Sequence, residues 1–162
     1  MEQLSHKNYK QVVKSVETSK EWPENLGVGK PYDNMIDNRL EDYLEAKAAA
    51  GQGDSRKTSA LLAAVADYTI SRSHFESGNL LSALALRESG KVQEADHMVA
   101  AWSTDFPENR VVQWCTAIYR GEKEKAVGML QSRNDQTNTT PWEASFRDSN
   151  FDLIVRLFST EQ

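Results

Sequence analysis

Glu41, Asp42 and Glu45 place three carboxylates close together on one stretch of chain. Paired carboxylates can hydrolyse glycosides, but only where a cleft holds two of them at a set separation across the sugar. An exposed acidic helix face is the simpler account of them. His6, His74 and His97 are dispersed, and none has a second ligand three or four residues further on, as a helical metal site would require. Asp96 adjoins His97, yet neighbouring helical residues do not share a face. A catalytic thiolate at Cys115 would need an electropositive neighbour. None is identifiable, so Cys115 reads as a small buried packing residue. The GVGK at 27–30 lacks the glycine spacing of a phosphate loop, and Pro31 follows its lysine, so it reads as an inter-helix turn. Trp22, Trp102, Trp114 and Trp142 could stack on sugar or peptide, but each falls on an apolar stripe or at a helix end, which favours packing. No catalytic, cofactor or metal site emerges, and the chain is read as a non-enzyme.

Composition narrows the partners. A net charge of −5 argues against a nucleic-acid surface, which needs concentrated basic side chains to displace counterions. The longest apolar run, Ala60 to Ala66, falls far short of the roughly 20 residues that span a bilayer. Met1-Glu2 opens a polar segment, so no secretory signal is read and a cytoplasmic location is favoured, although a parent protein could be exported. Asn138-Thr139-Thr140 fits a glycosylation acceptor, which has meaning only after export. The single cysteine excludes an intramolecular disulfide framework. With Ala abundant and Gly and Pro sparse, helices are favoured over sheet.

The elements follow from apolar periodicity. Residues 4–21 form a first helix striped by Tyr9, Val12, Val13 and Val16. A second runs from Met35 to Ala50 with Ile36, Leu40, Tyr43, Leu44 and Lys47 along one side. After the turn GQGD (51–54), a third runs from Ser55 to Ser71, carrying Leu61, Leu62, Val65, Tyr68 and Thr69. Its alanines at 60, 63, 64 and 66 would permit close helix approach. Leu80, Leu81 and Leu84 crowd one side of the next helix, which Gly90 ends as a C′ glycine does. Val92, Ala95, Val99 and Trp102 stripe its partner, and Pro107 cannot continue that helix. Val111, Trp114, Cys115 and Ile118 stripe a further helix, and Ala126, Val127 and Leu130 stripe the one after. Thr140-Pro141-Trp142-Glu143 reads as a capping box with Pro at the first helical position. Ser149 and Asp152 form another such pair ahead of Phe151, Ile154, Val155 and Phe158.

Two segments repeat. GKVQEADHMV and GEKEKAVGML align without a gap, so Gly90 and Ala95 recur as Gly121 and Ala126; SKEWPEN (19–25) is echoed by STDFPEN (103–109). Gly90, Ala95, Trp102 and Pro107 stand at the spacings of the turn glycine, small alanine, packing residue and closing proline of a tetratricopeptide (TPR) repeat, which this stretch resembles. Trp102 replaces the usual small residue, and Asn79 stands where Trp is common. WPENLGVGKP with the hairpins after it resembles the TPR region of a bacterial family of unknown function. Longer members of that family carry a β-rich domain upstream, read as sugar-related.

The resemblance implies an all-α fold: a right-handed α-solenoid of TPR-like hairpins with a C-terminal capping helix. The repeats would span 1–26 (partial), 33–72, 77–106 and 108–133, and 141–159 would cap them, in one domain over 1–162. The missing first helix of the first repeat suggests excision from a longer protein, favoured over the alternative that this helix serves as an N-terminal cap. The implied function is a non-catalytic scaffold for a protein or peptide partner. Arg87, Glu88 and Tyr119 would face its groove, although a helix-end cation favoured by the dipole also accounts for Arg87. The alternative is an accessory helical region of a larger carbohydrate-active enzyme.

Overall fold

Three glycines reverse the chain in one way. Gly53, Gly90 and Gly121 all have positive φ, at 80°, 82° and 75°. At each, the glycine N–H donates to the carbonyl three residues back, and the following N–H donates to the carbonyl five residues back. The three pairs of bonds are Gly53→Ala50 with Asp54→Ala49, Gly90→Arg87 with Lys91→Leu86, and Gly121→Ile118 with Glu122→Ala117. This is the Schellman arrangement, which satisfies carbonyls that a helix end leaves open and needs a left-handed residue at its pivot. The next carbonyl after each glycine, on Asp54, Lys91 or Glu122, then accepts the first bond of a new helix. Gly53, not Gly51, is therefore the pivot of the first hairpin.

The computed structural model describes residues 8–20, 36–70, 75–135, 148 and 150–159. Among them the chain is all-α, with eight helices and no strand. They are α1 (Tyr9–Lys20), α2 (Arg39–Gly51), α3 (Ser55–Ile70), α4 (Gly78–Glu88), α5 (Val92–Asp105), α6 (Arg110–Arg120), α7 (Lys123–Asp135) and α8 (Phe151–Ser159). The glycine turns make hairpins of α2 with α3, α4 with α5, and α6 with α7. Contacts also join α1 to α2, α2 to α4, α3 to α4, α4 to α6 and α5 to α6. No described helix is long and apolar enough to cross a membrane. The readings at Trp22, Trp142, GVGK, His6, His74, Asn138 and the box at Thr140 lie outside the described residues, as does Ser149.

Short polar side chains set the starts of three helices. Asn109 accepts from the Val111 and Val112 N–H groups at 2.9 and 3.2 Å, so the last residue of STDFPEN caps α6. Asp54 does the same for Lys57 at 2.9 Å. α2 begins at Arg39 rather than Met35, because the Asp37 carboxylate takes the Arg39 N–H at 3.0 Å.

The core centres on α4. Every residue from Gly78 to Leu86 is buried, not only the side bearing the three leucines. Its polar members are satisfied there: Ser82 Oγ donates to the Val65 carbonyl at 2.7 Å, and Asn79 Oδ1 accepts from Arg39 at 2.6 Å. Arg39 is 2% exposed. It forks onto Asp37 at 2.9 and 2.8 Å, pairs with Glu76 at 2.6 Å and stacks 4.6 Å from the Tyr68 ring centroid. Close approach of the helices comes from Ala46, Ala48, Ala49, Ala83 and Ala85, all buried. Of the four α3 alanines only Ala66 is buried, whereas Ala60, Ala63 and Ala64 face solvent, contrary to expectation. Val92, the first member of its stripe, is likewise exposed beside the hairpin turn.

α1 docks on the outer side of α2, setting Val12 and Val16 against Ala48 in a small second core. Lys20 at its end bonds Asp42 at 2.6 Å and Glu45 at 3.0 Å, and Lys57 meets Glu45 at 2.8 Å. The three carboxylates are thus not one exposed acidic face, since Glu45 is buried between two lysines. Burial alone would raise the Glu45 carboxyl, but hydrogen bonds from Lys57 and Lys20 hold it below the usual carboxylate range. Trp102 and Trp114 both pack. Trp102 meets Phe75 edge-on at 5.2 Å, and Trp114 meets Phe151 of α8 edge-on at 5.3 Å. Phe151, Ile154 and Leu157 are the buried face of α8.

Candidate functional site: a cation-rimmed pocket between α4, α6, α7 and α8

The Schellman turn at Gly121 swings α7 away from α6. Trp114 and Ile118 on α6, Leu84 on α4, Leu130 on α7 and Phe158 on α8 then surround an open pocket of ≈ 330 Å³. Its rim carries Arg87, Arg120 and Lys123, and none of the described carboxylates lines it. Val127, 41% exposed, is an apolar side chain of the wall that solvent reaches. Of the acids that adjoin these cations in sequence, Glu122 is paired with Lys125 at 2.8 Å and Glu88 with Lys47 at 3.0 Å, while Glu124 is exposed. Among the described residues, neither Arg120 nor Lys123 has an ion pair or side-chain hydrogen bond that would neutralise it.

Arg87 and Tyr119 meet at this pocket. The Arg87 guanidinium carbon lies 4.7 Å from the Tyr119 ring centroid, and its Nη1 donates to the Tyr119 carbonyl at 2.9 Å. Tyr119 is 6% exposed, and its hydroxyl donates to Asp96 Oδ1 on α5 at 2.7 Å. Burial first, then that hydrogen bond and the charge of Asp96, push the phenol up to about 12 against a smaller opposing pull from Arg87. Tyr119 therefore joins α6 to α5 while its ring forms part of the pocket wall.

Glu88 faces elsewhere. It accepts from the Tyr43 hydroxyl at 2.7 Å and from Lys47 Nζ at 3.0 Å, both on α2. It lines a separate open recess of ≈ 460 Å³ with Ser55, Ser59 and Asp67 of α3. The three expected groove residues thus divide, Arg87 and Tyr119 at one pocket and Glu88 at another. Sequence reasoning passed over Arg120 and Lys123, whose signal was two cations flanking the second copy of the turn glycine. It also passed over Asp96, weighed only as a neighbour of His97.

Cys115 is fully buried, and burial pushes its thiol well above the ordinary range. His97 is exposed. Among the described residues no group of three or more His, Cys, Asp or Glu side chains could hold a metal ion. No protein-family model, curated protein or solved structure matches this chain.

Proposed function

We propose that this chain is a non-catalytic scaffold of the TPR type, a right-handed solenoid of three hairpins that binds a peptide or a segment of another protein. The observation that carries the reading is the pocket itself. It opens where consecutive hairpins meet, its floor is apolar, and it takes walls from both hairpins and from α8. Its size suits a large side chain rather than a whole folded surface, as in anchor-type recognition. The serial contacts of α2 with α4 and of α4 with α6 support a stack of first helices, and the thrice-used glycine turn supports a repeated unit.

The test is a composition-balanced array of capped peptides probed with the labelled full chain. Binding sequences should be recovered, and Val127→Trp, which fills the pocket from an exposed position, should abolish their signal. Silence across the whole array would end the peptide reading.

A further inference from the structure

We infer that the pocket selects an acidic peptide segment in which one bulky apolar side chain is flanked by aspartate or glutamate; this rests on the scaffold reading above. The argument is one of charge complementarity within a single small volume. The chain is acidic, at −5, yet among the described residues the rim of this pocket holds three cations and no acid. Arg120 and Lys123 stand to either side of Gly121 and are exposed, so an arriving carboxylate reaches them without displacing a protein partner. Arg87 spends Nη1 on the Tyr119 carbonyl, and its stacking on the ring holds the guanidinium plane at the pocket edge. A planar fork held in this way suits a carboxylate better than a mobile lysine would.

Below the rim, Ile118, Leu130 and Phe158 offer apolar surface to whatever enters, beside the ring of Trp114, whose buried indole N–H has no partner among the described residues. A charged side chain would lose its hydration there with little to replace it. A leucine or phenylalanine would gain by leaving water. The cations stand around the apolar floor rather than in it, so the acids must lie beside the apolar residue in the ligand. An apolar segment lacking acids would leave the rim unanswered. A lysine-flanked one would meet like charge, which disfavours wrong partners strongly.

The experiment uses the full chain and fluorescein-labelled peptides blocked at both ends, followed by polarisation. One probe carries a central phenylalanine between glutamates, a second replaces the glutamates with lysines, and a third replaces the phenylalanine with alanine. The first should bind roughly tenfold or more tightly than either of the others, and should weaken as salt is raised. Arg120→Glu with Lys123→Glu, both at exposed positions, should reverse the preference between the first two probes while leaving the helical circular dichroism unchanged. Equal binding of glutamate and lysine probes, or an unchanged preference in the double variant, overturns the inference but leaves the scaffold reading intact. Failure of both these probes and the balanced array defeats the two together.

Discussion

The guanidinium of Arg87 covers the ring of Tyr119 at 4.7 Å and bonds the carbonyl of that same residue at 2.9 Å, so one side chain of α4 holds both ends of one residue of α6. The Tyr119 hydroxyl meanwhile reaches Asp96 on α5. Tyr119 is thereby fixed between two hairpins by three distinct contacts.

This arrangement predicts an alkaline signature. The folded phenol is raised to about 12 from an ordinary value near 10, so its contribution to stability is complete below pH ~10 and is lost as pH rises through about 12. Absorbance titration at 295 nm should show a late phenol step, and Tyr119→Phe should reduce its amplitude by one tyrosine. Tyr119→Phe should also cost about 0.5–1.5 kcal/mol at neutral pH, the worth of one hydrogen bond. A late step of undiminished amplitude in Tyr119→Phe would contradict the arrangement.

Arg39 predicts a larger effect at a distance from the pocket. Arg39→Met removes a buried cation shared by Asp37, Glu76 and Asn79. Because both carboxylates keep some contact with water, the loss should fall near the lower end of the buried-pair range, about 3 kcal/mol. Lysine should not restore it, since it lacks the fork. Urea unfolding of the two variants is the measurement, and a shift no larger than an exposed substitution produces would refute the account.

The glycines predict opposite signs at two sites. Gly121→Ala forces a side chain into the left-handed region and should destabilise by about 1 kcal/mol. Gly128 lies inside α7, and a Cβ built there meets nothing within 4 Å. Gly128→Ala should stabilise by about 0.5–1 kcal/mol. Thermal melts of both variants decide the matter, and equal signs would be the wrong outcome.

Cys115 should behave as a packing residue with an inert thiol. Native protein should react with a thiol-specific disulfide reagent orders of magnitude more slowly than protein in denaturant. Comparable rates would show that the thiol is reached in the folded state.

How much of this was legible depended on sequence distance. The turn glycines, the buried alanines Ala95 and Ala126, and Phe151 and Ile154 of α8 were readable because each belongs to a local pattern of a few residues, although Leu157 rather than Val155 or Phe158 completes the buried face of α8. The all-round burial of α4 was not. Asn79 and Ser82 gave its sequence a polar face, and their partners Arg39 and Val65 lie 40 and 17 residues away. The same distance hid the Arg39 network and the opposite allegiances of Arg87 and Glu88. Exposure of Ala60, Ala63 and Ala64 was misread because alanine suits a solvent-facing helix as well as a tight crossing.

Arg87 and Glu88 are adjacent in the chain, yet one engages α6 and the other α2. The last turn of α4 therefore touches both outer hairpins through two consecutive side chains. If the hairpins fold as a repeat array, this predicts that their folding equilibria are coupled rather than independent. Amide protons of α2 and α6 should exchange with deuterium at matched rates, and loosening either hairpin should shorten the protection of both.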